Sequence, residues 1–283
     1  MSSSLHHDIS PVHTPQKVDS TDWLKMFAII FVSIDHIGYF FIDYADWWSA
    51  YGRMAAPPFF FLLGYAQTRF VPPYWIGIGI ILTLLDSWNN DWTWVSPNIL
   101  LSFALIRIAR PFAQIFLQRY GWAAFALIAA GLIAALPAAQ SIADYGTEGW
   151  LWALFGLCQR WYVDGNSAVA TGGLVQNTVT SRFTMTANLG LLRLLACLSA
   201  ATVYIWQEQI EFTFSQHQYM TVMLGVAALS IYLCLFRRGP SRTQPPQAIT
   251  RVLRFVGRNT LEIYAIQLAG FEIIVLLFPD LAA

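Results

Sequence analysis

The stretch WLKMFAIIFVSIDHIGYFF, Trp23 to Phe41, is apolar enough to lie against lipid, yet it carries Lys25 near its start and the adjacent pair Asp35 and His36 deep inside. Its length is that of an α-helix crossing a bilayer. An ionisable group in the hydrocarbon costs at least a few kcal/mol unless it is paired or hydrated, so three in one segment mark a site or a pathway. Lys25 and His36 are eleven residues apart, which at 3.6 residues per turn puts them on nearly one face and roughly 16 Å apart along the axis. Asp35 points about 100° away from His36 around the helix, so adjacency alone does not pair them. Asp35 needs another partner, and Arg53, opening the next apolar segment, arrives at a comparable depth.

The rest of the chain has the same character. With 57% hydrophobic residues, 16% aromatic and only 11% charged in 283 residues, it holds more apolar surface than one soluble domain can hide. Sixteen Lys and Arg balance sixteen Asp and Glu, which excludes the basic footprint of a nucleic-acid binder. Cys158, Cys197 and Cys234 sit in apolar runs at no metal-ligand spacing and read as reduced packing residues, with no metal site implied. Residues 1–22 are polar, hold Pro11 and Pro15, and lack the basic-then-apolar order of a signal peptide. They read as a disordered tail with solvated histidines at 6, 7 and 13, and Ser20, Thr21 or Asp22 caps the helix that follows.

Beyond the tail, residues 23–283 form one transmembrane domain in this reading, an all-α polytopic bundle of about nine helices, within a range of eight to eleven. The apolar segments are 23–42, 51–70, 73–88, 95–113, 121–139, 148–164, 186–207, 217–236 and 258–278. Alternate loops differ in charge. Lys17 and Lys25, Arg69, then Arg107, Arg110 and Arg119, then Arg160 and Arg182, then the run RRGPSRTQPPQAITRVLR mark one side. Asp43 and Asp46, Asp86 and Asp91, Asp144 and Glu148, Glu208 and Glu211, and Asp280 mark the other. Loops rich in Lys and Arg stay in the cytoplasm, so the expected topology has the N-terminus inside, the C-terminus outside, and His36 in the outer half of the membrane.

A second constellation lies in NILLSFALIRIARPF, where Arg107 and Arg110, three residues apart, share a face at the inner end of the fourth segment. Two guanidiniums so spaced suit a phosphate or pyrophosphate. Arg160 and Arg193, on the inner side of apolar helices, extend the candidate anion-binding set.

Lys25 followed after ten residues by His36, together with RIAR at Arg107–Arg110, resembles the basic-x10-His and Arg-x-x-Arg patterns of the membrane acyltransferase 3 superfamily. More specifically, LKMFAIIFVSIDHIGYFF followed by YGRMAAPPFFFLLGY resembles the TraX family, which N-acetylates conjugative pilin. GRNTLEIYAIQ, Gly257–Gln267, is similar to the last-helix pattern of these acyltransferases, with Gln267 where relatives often carry histidine.

The resemblance implies an acyl-CoA-dependent N-acetyltransferase in the bacterial inner membrane, with acetyl-CoA as donor and a pilin subunit as partner. Lys25, Arg107 and Arg110, with Arg193 and Arg160, would hold the nucleotide end of the donor. His36 would be the general base, an imidazole near pKa 6.5 being suited to that work. Arg53 would either stabilise the oxyanion or hold Asp35. Two other readings fit the same residues: an O-acetyltransferase acting on a glycan hydroxyl, and a transporter with a proton or solute relay through Asp35, His36, Arg53 and Glu272.

Overall fold

The computed structural model describes residues 17–42, 46–68, 70–89, 92, 95–140, 142–170, 186–241, 244–278 and 280. Arg69, Arg182, Asp43, Asp91 and the three tail histidines lie outside them. The elements are all helices: α1 (Ser20–Phe41), α2 (Asp46–Gly52), α3 (Ala56–Tyr65), α4 (Pro73–Asn89), α5 (Ile99–Tyr120), α6 (Trp122–Gln140), α7 (Glu148–Ala170), α8 (Thr186–Phe212), α9 (Gln216–Leu235), α10 (Gln247–Arg258) and α11 (Thr260–Leu277). Six of them, α1, α5, α6, α8, α9 and α11, are long and apolar enough to cross a membrane, as a multi-pass membrane protein requires.

The helix that opens the chain begins earlier than its hydropathy suggests. Asp19, not Ser20, Thr21 or Asp22, is the N-cap of α1; its side chain accepts from the Thr21 backbone N–H, and Asp22 closes the capping box by accepting from the N–H of Asp19. Val18 is fully buried, and Asp19 forms an isolated bridge with Pro240. Residues 18–20 are tied to the link after α9.

The expected second segment, 51–70, is not one helix. It divides into α2 and α3 around Arg53, Met54 and Ala55. Pro57 and Pro58, in the first turn of α3, have no N–H to offer the carbonyls of Arg53 and Met54, so the ladder cannot run through. The Arg53 carbonyl instead accepts from the hydroxyl of Tyr204 on α8, at 2.6 Å in a buried position. The basic run after α9 also departs from the expected loop. Its second half is α10, with Leu253, Val256 and Gly257 buried and Ile249, Val252 and Phe255 exposed.

Helix α3 packs chiefly against α7, and small residues set the distance. A Cβ on Gly64 would lie 1.8 Å from the Ala153 carbonyl oxygen, and one on Gly156 would lie 2.1 Å from that of Phe61. Backbone, unlike a flexible side chain, cannot step aside. Gly156→Leu is therefore expected to abolish accumulation of folded protein, scored by fluorescence-detected gel filtration. Gly131→Leu on α6, where an added Cβ meets nothing within 4 Å, should leave the yield unchanged. Equal yields for the two variants would contradict the packing argument.

The cysteines are free among the described residues, as read from their apolar settings; Cys158 and Cys197 are buried.

Candidate functional site

Asp35 and Arg53 meet. The Arg53 guanidinium nitrogen Nη2 donates to both Asp35 oxygens, at 2.7 and 2.6 Å. Nη1 lies 3.4 Å from Glu208 Oε2, and Nε donates to the Ser49 carbonyl at 3.3 Å. The guanidinium carbon sits 4.3 Å from the centroid of the Phe212 ring. Each nitrogen thus has a protein partner, and the guanidinium joins Asp35 to Glu208. The approach is close because α2 ends in glycine. A Cβ at Gly52 would fall 2.2 Å from Asp35 Oδ1.

The pair is out of water, with Asp35 9%, Arg53 7% and Glu208 1% exposed. Glu148, at the start of α7, is 1% exposed, and its Oε2, like Oε1 of Glu208, is buried without a hydrogen-bond partner among the described residues. Among the described residues Arg53 pairs with carboxylates of α1 and α8 and lies within electrostatic reach of Glu148 on α7.

His36, one residue on, faces a different neighbourhood. Its ring centroid lies 5.5 Å from that of Tyr264 on α11 and 6.5 Å from that of Phe40, edge-on. Nδ1 is buried with no hydrogen-bond partner among the described residues. Among the described residues no hydrogen bond joins the imidazole to Asp35, in keeping with their separation of about 100° around the helix.

Both residues line one cavity of about 770 Å³. Its wall carries the carboxylates Asp35, Asp86, Asp144, Glu211 and Glu272, with Arg53 the one Lys or Arg among its described lining residues. Asp144, in the turn between α6 and α7, accepts from the Ser96 hydroxyl at 3.0 Å. Burial pushes its carboxyl up to about 6, against the opposing effect of that hydrogen bond. Glu272 accepts from the side-chain amide of Asn89. Gln267 lies nearer the middle of the bundle, where Ser33 Oγ donates to its Oε1 at 3.1 Å.

The basic residues fall into separate groups at the opposite end. Lys25 Nζ donates to the Gly257 carbonyl at 2.6 Å and is within electrostatic reach of Arg238 and Arg107. Arg107 Nη1 donates to the Phe70 carbonyl at 2.9 Å, and its guanidinium stacks 4.2 Å over the Trp75 ring. Arg110 follows one turn later on α5.

Arg193 is placed elsewhere. It donates to the Cys234 carbonyl at 2.8 Å and to Gln159 at 3.2 Å, closing the C-terminus of α9, and lies 3.7 Å over the Tyr162 ring. Arg160 pairs with Asp164 at 2.7 Å and lies 5.3 Å over Tyr65. The structure does not bring these two arginines together with Lys25.

Reasoning from the sequence missed Glu208, Glu148, Tyr204 and Tyr264 as members of the site. The two glutamates read as loop charges that oriented the chain. A signal was present in Tyr204 and Glu208, four residues apart and so on one face of an apolar helix.

In comparison with known proteins, the family model described as TraX protein matches residues 20–235, from the first residue of α1 to the last of α9. No curated protein and no solved structure matches. The matched region contains Lys25, Asp35, His36, Arg53, Arg107, Arg110 and Glu208, well over half of a 283-residue chain, and the chain belongs to the TraX family.

Proposed function

We propose that this protein is a membrane-embedded acetyltransferase, moving an acetyl group from cytoplasmic acetyl-CoA to the N-terminal amine of a conjugative pilin at the outer face of the bacterial inner membrane. In this reading α2 with α3, α4 and α7 join the six long apolar helices to make nine passages. The N-terminus is then cytoplasmic and the His36 cavity opens outward.

The observation that carries the choice of acceptor is the wall of that cavity, five carboxylates against one arginine that is already bound. An α-amino group titrates near 7.7–8.0 and so arrives at neutral pH mostly as ammonium. Carboxylates concentrate such a cation at the mouth, whereas a neutral sugar hydroxyl gains nothing from them. The ammonium sheds one proton to water before it can act. The free amine then attacks the thioester carbonyl, and His36 takes the second proton as the carbon–nitrogen bond forms. The carbon–sulfur bond breaks, and the departing thiolate recovers that proton from the imidazolium.

The test is transfer from radiolabelled acetyl-CoA by protein in proteoliposomes. A peptide with a free N-terminus should be labelled; the same peptide with its N-terminus blocked, and a neutral polysaccharide, should not. Labelled polysaccharide would replace the amine with a hydroxyl acceptor. Failure to bind acetyl-CoA, with collapse of an imposed pH gradient, would replace the enzyme with a transporter.

Asp144 supplies a pH-dependent check. Its carboxyl is neutral well below pH 6 and ionised above it, so it attracts the cationic acceptor only on the alkaline side. Asp144→Asn is expected to raise the KM for the peptide about fivefold at pH 7, the value of one charge contact near 1 kcal/mol. At pH 5 it should change little. The same effect at both values would remove Asp144 from acceptor recruitment.

A further inference from the structure

A second cavity, of about 480 Å³, lies at the Lys25 end of the bundle, away from His36. Lys17, Lys25, Arg238, Arg254 and Arg258 line it, together with Asp19 and Asp22. These cations come from four separate places: the residues before α1, the second turn of α1, the link after α9, and α10. Arg254 and Arg258, four residues apart, share one face of α10.

Hydrogen bonds fix the convergence. Ser20 N donates to the Gly239 carbonyl at 2.9 Å, Ser241 N to that of Val18 at 2.8 Å, and Lys25 Nζ to that of Gly257 at 2.6 Å. The two carboxylates are already engaged. Asp19 Oδ1 accepts from the N–H groups of Thr21 and Gly239, its Oδ2 lies 3.3 Å from Arg238 Nε, and Asp22 Oδ2 accepts from the N–H of Asp19. Anchoring on the cytoplasmic side accounts for basic residues near this end. It does not account for five of them meeting around one hollow.

We infer that this cavity binds a phosphate ester of two or more negative charges, and that its occupant is the nucleotide end of the acyl-CoA donor. The identity of the occupant rests on the acetyltransferase reading; the phosphate chemistry rests on the cavity. Lys25 connects the two ends, because it lines this hollow and sits on the face of α1 that carries His36, roughly 16 Å along the axis. A thin pantetheine arm suits that span. Arg107 remains within electrostatic reach of Lys25 and adds to the field at its edge. Helix α10 exposes Ile249, Val252 and Phe255 beside this cavity, an apolar face suited to lying at the membrane surface. A phospholipid headgroup therefore offers the same chemistry from a second source.

The experiment uses the full-length protein in nanodiscs of phosphatidylcholine, titrated with acetyl-CoA, 3′-dephospho-acetyl-CoA and acetyl-pantetheine. R254Q/R258Q is expected to weaken acetyl-CoA binding roughly tenfold to a hundredfold, since both substitutions remove charge-assisted contacts to phosphate. It should weaken the dephospho compound less, and leave acetyl-pantetheine unchanged, which also shows that the variant is folded. Lys17→Gln, on an exposed residue, should act in the same direction. A parallel set of discs contains phosphatidylglycerol. Selective retention of that lipid by the wild type, lost in R254Q/R258Q while acetyl-CoA affinity stays constant, would keep the phosphate site and overturn the nucleotide as its occupant. Wild-type acetyl-CoA binding that the variant preserves, with no change in lipid retention, would overturn this inference and leave the acetyltransferase standing. A wild type without affinity for acetyl-CoA would overturn both.

Discussion

His36→Gln should leave the protein folded and able to bind acetyl-CoA, and slow acetyl transfer by roughly 100- to 10,000-fold, the usual contribution of one positioned general base. Glutamine keeps a donor and an acceptor but takes up no proton at neutral pH. The comparison with His36→Ala therefore separates proton transfer from hydrogen bonding: the two variants should be about equally inactive. Binding should survive in both, because the imidazole lines the carboxylate-walled cavity while the basic groups that would meet the nucleotide lie at the other end of α1. A His36→Gln protein that transfers acetyl at near the wild-type rate would end the assignment.

Arg53→Leu should do something different and affect the whole fold. The substitution removes the cation that Asp35 and Glu208 share. Breaking a buried pair from one side costs about 3–5 kcal/mol, because a charge remains without compensation. Here two carboxylates are left, so little folded protein should accumulate. Removing the charges together, in R53L/D35N/E208Q, should recover most of the yield, since a neutral replacement of a buried ionic group is often tolerated. Yield measured by gel filtration, and transfer per folded molecule measured separately, distinguish a positioning role from a chemical one. If R53L accumulates as the wild type does, the ion-pair cage is not what joins α1, α2 and α8.

Much of this was legible in the chain itself. The hydropathy of Trp23–Phe41 located α1 to within three residues at its start. The Asp35–Arg53 pair followed from a physical need, because a carboxylate at that depth requires a cation and the next segment offered one. Glu208 was not legible as its partner. It lies 155 residues beyond Arg53, and no local spacing reports a contact between helices so far apart. The break at Arg53 had a signal in Pro57 and Pro58, outweighed by the unbroken apolar composition around them. Helix α10 was hidden by its own charge. Pro240, Pro245 and Pro246 and the many arginines read as a loop, although Leu253 and Val256, three residues apart, are buried on one face. Of the basic residues proposed for the donor, Lys25 lines the second cavity, while Arg193 and Arg160 serve α9 and α7.

The divided helix at Arg53 also bears on how the chain is made. Helix α3 has ten residues and α2 seven, so α3 alone measures only about 15 Å, against roughly 30 Å for the hydrocarbon of a bilayer. Neither half can settle across a bilayer independently. The hydroxyl that satisfies the Arg53 carbonyl belongs to Tyr204, 151 residues later, which a ribosome delivers roughly 8 to 30 s after Arg53 at 5–20 residues per second. Asp35 has already been synthesised by then, 18 residues earlier, and is available to neutralise the arginine from the start. The two carboxylates that contact Arg53 thus become available at different times in the life of the protein: Asp35 precedes the arginine, and Glu208 arrives with α8 to close the cage.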